Sequence, residues 1–262
     1  MDDERDAEGR GRDFVVAFAR GLDVIQAFGP ESPSLTLSEV AARTGVDRAV
    51  ARRLLRTLAD LGFARHDGKR FALTPRVLRL ADSYLSTEGF DRLQPALEAL
   101  SRQLSLNTSL TVLDYPEIVH VARAEARERQ PHVMLKTAAR MPAVATASGR
   151  VLLAALPPPE LQALLGRAPL PRFTARSRTD IPAQLAAIAA CRESGFAIVD
   201  GELQEGFISA AVPLRDGAGR ILAALATSSQ ALERSAEAME REVLPALRET
   251  AKEMGASLRW SR

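Results

Sequence analysis

Apolar residues recur with helical spacing at Phe14, Phe18, Leu22, Ile25 and Phe28, and Gly29-Pro30 then ends the run. This pattern predicts an opening amphipathic helix. Thr36-Leu37-Ser38-Glu39 has the Ser/Thr-x-x-Glu form of a capping box, in which hydroxyl and carboxylate satisfy otherwise unpaired amides at a helix start. A short helix to Thr44 follows. Gly45 supplies a tight turn, Val46 buries at the corner, and Asp47 is placed to cap a second helix. That helix directs Val50, Leu54, Leu55, Leu58 and Leu61 inward and ends at Gly62. Phe63–His66 and Lys69–Leu73 read as two short strands joined by Asp67-Gly68, a strong hairpin signal. Two helices across a glycine turn, followed by a basic hairpin, predict a winged helix-turn-helix over residues 13–74.

Pro75 suits a first helical turn, and Val77, Leu78, Leu80, Ala81, Tyr84 and Leu85 give the segment 75–89 a broad apolar face. This linker helix is more apolar than a solitary spacer needs, so it packs against a second subunit or against its own domain. Residues 90–262 alternate strand and helix patterns. Thr108–Asp114 and Ile118–Glu125 form a hairpin turned at Tyr115-Pro116-Glu117, and Phe207–Leu214 and Arg220–Thr227 form another around Asp216-Gly217-Ala218-Gly219. Helices are expected near Asp91–Ser105, Ser148–Leu156, Glu160–Leu165, Ile181–Glu193 and Ala231–Leu258. The fold class is therefore α+β, with an antiparallel sheet in the larger part.

Length and composition fit this division. The chain has 262 residues, 46% hydrophobic and 26% charged, enough for two domains. Its one cysteine, Cys191, excludes an internal disulfide, and with only His66, His120 and His132 there is no zinc-type cluster. Neither metal nor cofactor is expected, and a reducing cytoplasm is. Neither a signal peptide nor a membrane span is legible. Net charge is +2 but uneven: residues 43–79 hold nine arginines and Lys69 against three aspartates, a net of +7, leaving −5 for the rest. A basic module joined to a mildly acidic one is the footprint of a protein that meets phosphate with one part only, although a solvated basic face gives the same count.

On the second helix the apolar stripe leaves Arg48, Ala49, Arg52, Arg53 and Arg56 off the core side. Guanidinium forks there suit guanine edges or phosphates in a major groove. Arg65, Lys69 and Arg70 in the hairpin are placed for backbone contact, and Arg53 serves either the groove or the fold. These residues predict double-stranded DNA as a partner, through a recognition helix and a wing.

The runs ARGLDVIQAF and LTLSEVAARTGVDRAVARRLLRTLADLGFARHDGKRFALTPRVLRLA strongly resemble the DNA-binding module of the IclR family of regulators. RMPAVATASGRVLLAAL and FAIVDGELQEGFISAAVPLRDGAGRILAALATSS resemble the effector domain of that family, so the likeness spans nearly the whole chain beyond the first dozen residues. It is nearest to regulators of protocatechuate and 4-hydroxybenzoate breakdown in the β-ketoadipate pathway. The resemblance implies a GAF-like effector-binding domain, a homodimer or tetramer, and a palindromic operator. It also implies an effector such as protocatechuate or 4-hydroxybenzoate, with β-ketoadipate or another aliphatic acid as competitor, and a ligand-dependent change in operator affinity or in engagement of RNA polymerase.

Thr146-Ala147-Ser148-Gly149 opens a helix and offers amides and hydroxyls to a carboxylate, or is simply a well-capped helix. The resemblance places this helix start beside the effector pocket, and places the loop Asp200–Gly206 with Ser209 and Ala211 over it. Ser209 suits a phenol or carboxylate, whereas Asp200 and Glu202 suit structural or gating roles, since an unpaired buried acid facing an anion is costly. Arg123 is a carboxylate clamp or a surface arginine. Met134, Leu135 and Met141 line an apolar wall or fill the core.

An enzymatic reading has little to stand on. Ser148 lies outside a Gly-x-Ser-x-Gly elbow, and Gly217-Ala218-Gly219 lacks a nucleotide-site context. Cys191 falls on the apolar side of its helix with Ile181, Leu185 and Ile188, as a packed thiol does.

Overall fold

A computed structural model describes residues 13–87, 89–126, 138–167 and 169–258. The chain divides into two compact units, one ending at Tyr84 and the next beginning at Leu85.

In the first unit, helix α1 (Val16–Gln26), strand β1 (Ser34–Thr36), α2 (Leu37–Thr44), α3 (Arg48–Asp60), β2 (Ala64–His66) and β3 (Arg70–Leu73) precede a 3-10 turn, Pro75–Val77, and helix α4 (Leu78–Thr87). The capping box forms: Thr36 Oγ1 accepts from Glu39 N at 3.3 Å, and Glu39 Oε2 accepts from Thr36 N at 2.6 Å. Gly45 takes the left-handed φ of +67° that turns α2 into α3. Asp47 stands at the cap position of α3 without making the expected side-chain bond. The hairpin turn is held by Asp67 Oδ1, which accepts from the amides of Lys69 and Arg70.

Two expectations for this unit change. The stripe Phe14, Phe18, Leu22 is exposed, at 41, 68 and 39%, while Val24 is fully buried and Ile25 and Phe28 pack partly against the core of Val40, Ala51, Leu55 and Phe71. The helix carries two overlapping apolar stripes, and a three-helix core of this size has room for one. Leu61 also faces outward at 55% exposure, because it caps α3 rather than continuing it. The unforeseen strand β1 pairs with β3 in the sheet order β1-β3-β2.

The second unit begins with a 3-10 turn, Phe90–Leu93, and α5 (Gln94–Leu104). Then come β4 (Asn107–Asp114), β5 (Glu117–Ala124), β6 (Arg140–Pro142), α6 (Ala147–Leu153), α7 (Pro158–Leu165), α8 (Ile181–Ser194), β7 (Ala197–Asp200), β8 (Phe207–Arg215) and β9 (Ile221–Gln230). A helical lead-in widening through a π turn at Met239–Val243 ends in α9 (Leu244–Ser257). The strands form one antiparallel sheet in the order β6-β5-β4-β9-β8-β7. α5 and α9 contribute to the apolar core on one face, and α6, α7 and α8 to that on the other. This is the α+β fold with a helix-turn-helix domain and an antiparallel-sheet domain.

Small residues let the helices come close. Ala210, Ala211, Ala223 and Ala224 are fully buried in the central strands. A Cβ on Gly149 would stand 2.0 Å from the Ala143 carbonyl oxygen, so α6 approaches the preceding turn as only glycine allows.

β5 carries the feature that shapes the site. Leu110 pairs with Ala122 but Thr111 pairs with His120, so Val121 is an extra residue, a β-bulge. Side chains alternate along a strand, and one inserted residue reverses the alternation beyond it. Val121, Ala122 and Ala124 accordingly join one core, while Ile118 lies in the other.

Candidate functional site

The first unit presents a basic face. Ala51, Leu55 and Leu58 bury one side of α3, which leaves Arg48, Ala49, Arg52, Arg53 and Arg56 exposed. Arg65 and Lys69 are exposed in the hairpin. Arg70 differs. Its Nε donates to Ser34 Oγ at 3.0 Å, and its Nη2 donates to Ser34 O at 2.6 Å and lies 3.3 Å from Glu39. The fork thus ties β3 to β1 and to the start of α2. Arg43 donates to Ala27 O and Ser32 Oγ, and Arg76 donates to Leu61 O while its guanidinium lies over the Phe63 ring. Part of the charge excess read from composition therefore braces the module. His66 stacks on Phe71 with ring centroids 4.2 Å apart.

The second unit holds a cavity of about 140 Å³. Its floor is the sheet face bearing Ser109, His120, Arg123, Ala226, Ser228 and Ser209; the α6 start, Thr146–Ser148, and the loop 201–204 complete the wall, with Ile118, Met141, Val199 and Phe207 supplying apolar surface. The Val121 bulge is the reason that His120 and Arg123, an odd number of residues apart, both line it. Arg123 is half-buried; desolvation draws its pKa down, and Glu125 partly opposes this. It remains a cation at any physiological pH.

The structure sorts the sequence candidates. Arg123, Thr146, Ala147, Ser148, Glu202 and Ser209 come together in the lining, as does Met141. Gly149 does not line the cavity. Its amide donates to Thr146 Oγ1 at 3.1 Å, so it is used as a helix cap. Ala211 is fully buried beneath the helices of that face. Asp200 lies outside the lining and pairs with Arg176. Met134 and Leu135 fall outside the described residues.

Glu202 is the one carboxylate in the lining among the described residues. Both its oxygens accept from Arg150 Nη2, at 2.9 and 2.8 Å, and it also pairs with Arg178. Its side chain and that of Arg150 are 5 and 6% exposed. Thr174 Oγ1 donates to Gly201 O at 2.6 Å and Ser177 Oγ to Glu202 O at 2.7 Å, which pins the loop from behind. An acid already facing two cations does not repel an incoming anion as a lone acid would. No motif or spacing in the sequence marks His120. The residue is 4% exposed, and its Nδ1 lies 3.1 Å from Ala139 O. A carbonyl only accepts, so Nδ1 carries the proton and Nε2 is an acceptor. Desolvation lowers the His120 pKa, the bond to Ala139 raises it in part, and Arg123 lowers it again. The ring is neutral near pH 7.

A cavity lined by a guanidinium and several hydroxyls in one unit and a basic helix with a hairpin in the other agree with what the chain resembles among known proteins. The IclR helix-turn-helix domain matches residues 17–68, and the bacterial transcriptional regulator IclR C-terminal domain matches residues 85–256. The chain is 39% identical over 236 residues to the Pca regulon regulatory protein of Pseudomonas putida, covering 90% of this chain and 81% of that one. It is 36% identical over 253 residues to the p-hydroxybenzoate hydroxylase transcriptional activator of Acinetobacter baylyi, covering 94 and 93%. Among solved structures, an IclR homolog from Microbacterium hydrocarbonoxydans complexed with 4-hydroxybenzoate superposes with a TM-score of 0.79 at 25% identity, covering 94% of this chain and all of that one.

Proposed function

The chain belongs to the IclR family of bacterial transcriptional regulators, and from that premise we propose that it controls aromatic-acid catabolism in response to a single-ring aromatic carboxylate. The observation that carries this reading is the cavity. At about 140 Å³ it is close to the roughly 150 Å³ that accommodates a benzene ring. It offers a guanidinium and several hydroxyls, and its one acid is already paired. Those groups suit a carboxylate on a ring. The relatives named for Pca and p-hydroxybenzoate regulation, and the 4-hydroxybenzoate complex, point to protocatechuate or 4-hydroxybenzoate. A flexible aliphatic diacid such as β-ketoadipate fits less well, because it brings a second charge and the lining holds a single guanidinium, Arg123, among the described residues.

Arg48, Arg52, Arg53 and Arg56 on α3 enter a major groove beside Ala49, and Arg65 and Lys69 touch phosphates from the hairpin. Arg70 acts by holding the hairpin. The exposed apolar residues Phe14, just before α1, Phe18 and Leu22 of α1, and Leu78, Leu80 and Tyr84 of α4, are covered by a second copy of the chain. The assembly, a homodimer or a pair of dimers, reads a palindromic operator. Effector binding shifts its populations by the ligand's differential affinity for two states, altering operator affinity or contact with RNA polymerase. No helix among the described residues is long and apolar enough to cross a membrane, and the reading carries no catalytic role.

The test is fluorescence anisotropy on DNA from the region upstream of the protein's own gene and on scrambled DNA, over a salt series. Tighter binding to the native fragment, a log-log salt slope of several multiples of about −0.9, and weakening by Arg52→Ala support the reading. Absence of salt-dependent DNA binding, with and without aromatic acids, sinks it. For the effector, an acid present at one hundred times its Kd stabilises the fold by about 2.7 kcal/mol, a rise of several degrees in Tm. A panel of hydroxybenzoates with no such rise rejects the ligand class.

A further inference from the structure

We propose that His120 reads a ring hydroxyl in the cavity, so that the site selects hydroxylated aromatic carboxylates over those whose ring carries no hydrogen-bond donor. This rests on the aromatic-carboxylate reading above and adds a residue and a selection rule to it.

The argument starts from donor and acceptor roles. Serine hydroxyls on the floor both donate and accept, so Ser109, Ser209 and Ser228 adapt to either kind of ligand atom. Arg123 only donates, which suits the carboxylate. Glu202 accepts, but its oxygens already face Arg150 and Arg178. His120 stands apart. Its Nδ1–H is spent on Ala139 O at 3.1 Å, and no described residue hydrogen-bonds Nε2. A neutral imidazole so oriented has one fixed role at its remaining nitrogen, acceptance, and it is met by a ligand O–H.

Two features hold that role in place. Burial and the neighbouring Arg123 both oppose protonation of the ring, so Nε2 does not become a donor near neutral pH. The Val121 bulge puts His120 and Arg123 on one face, so a single ring can meet a carboxylate donor and a hydroxyl acceptor from the same strand. A ring without a donor leaves a buried acceptor unsatisfied, a penalty of about 1–3 kcal/mol, or about 5- to 150-fold in Kd.

The test is titration calorimetry of the full chain with benzoate, 3- and 4-hydroxybenzoate, and the corresponding fluorobenzoates, near-isosteres that bring no donor. The wild type is expected to bind one hydroxybenzoate at least tenfold more tightly than its fluoro counterpart. His120→Phe should bring that ratio within about threefold of unity, because it removes both the partner of the hydroxyl and the acceptor that a fluoro acid leaves unsatisfied. His120→Gln, which retains an acceptor, should keep about fivefold or more of the preference. The Ala139 carbonyl still receives the backbone amide of residue 120 at 3.0 Å, so neither variant orphans it. Equal wild-type binding of hydroxy and fluoro acids overturns the proposal whatever the variants do, as does a preference that survives in His120→Phe. Failure of every aromatic acid to bind the wild type overturns the effector reading itself, an outcome distinct from binding without discrimination.

Discussion

Removing the Glu202 carboxylate should cost the effector domain far more stability than a surface charge would. Glu202→Gln preserves shape but leaves Arg150 facing an amide in a site where the arginine side chain is 6% exposed. Both short contacts, at 2.9 and 2.8 Å, lose their charge, and Arg150 Nε already has no partner among the described residues. Leaving one member of a buried pair unmatched costs about 3–5 kcal/mol. Arg178, at 38% exposure, can turn toward water and adds at most about 1 kcal/mol. In domains of this size each kcal/mol moves Tm by about 2–4 °C, so Tm should fall by roughly 6–24 °C. Differential scanning calorimetry of the full chain measures it. A companion variant, Arg150→Met with Glu202→Leu, should recover much of the loss, since apolar replacement of a whole buried pair is often neutral. A single variant within about 2 °C of wild type, or a double variant no better than the single, refutes the reasoning.

Thr36→Ala removes one half of the capping box and should cost about 1 kcal/mol, seen as a lowered urea midpoint for the helix-turn-helix unit; an unchanged midpoint would mean that the cap contributes nothing. Cys191 is buried and desolvation pushes its thiol up to about 11 from 9.0, a shift that alone lowers thiolate at pH 8 about 100-fold; iodoacetamide should label it only in denaturant, and rapid labelling of the native chain would contradict the packing. His120 has a folded pKa below its unfolded value of about 6.5. The unfolded chain therefore binds the extra proton first, and stability should fall as pH drops below about 6.5, by up to about 1.4 kcal/mol per unit. Denaturant titrations from pH 7.5 to 5.5 should show this slope reduced in His120→Gln, and an equal slope in the variant rejects the assignment.

Much of the architecture was legible because it is local. The capping box at Thr36–Glu39, the turn at Gly45 and the Asp67-Gly68 hairpin are each decided by residues within one turn of one another, and the two long hairpins of the sheet announce themselves by alternation and turn residues. The exposed arginines of α3 follow from a helical period laid over a clear apolar stripe. Strands β1, β6 and β7 were not legible, since each is three or four residues long and exists through pairing with a strand elsewhere in the chain. The two apolar stripes of α1 are equivalent by period, and only the limited volume of the core decides that Val24 is buried and Phe18 is not.

The cavity divides the same way. Arg123, Thr146, Ser148, Glu202 and Ser209 could be nominated from residue type and position, but what they do there depends on distant partners. Glu202 is paired with Arg150, fifty-two residues away, and no spacing rule links them. His120 gave no signal of its own, being an ordinary residue in a strand of alternating pattern. It joins Arg123 at the site because one bulged residue reverses the side-chain alternation. The sequence by itself determined which segments are helix, turn or hairpin and where positive charge collects, since neighbouring residues settle those questions. Tertiary structure alone decided which faces are buried, which charges are spent on the fold and which groups share a cavity, because each is a contest among groups far apart in the chain.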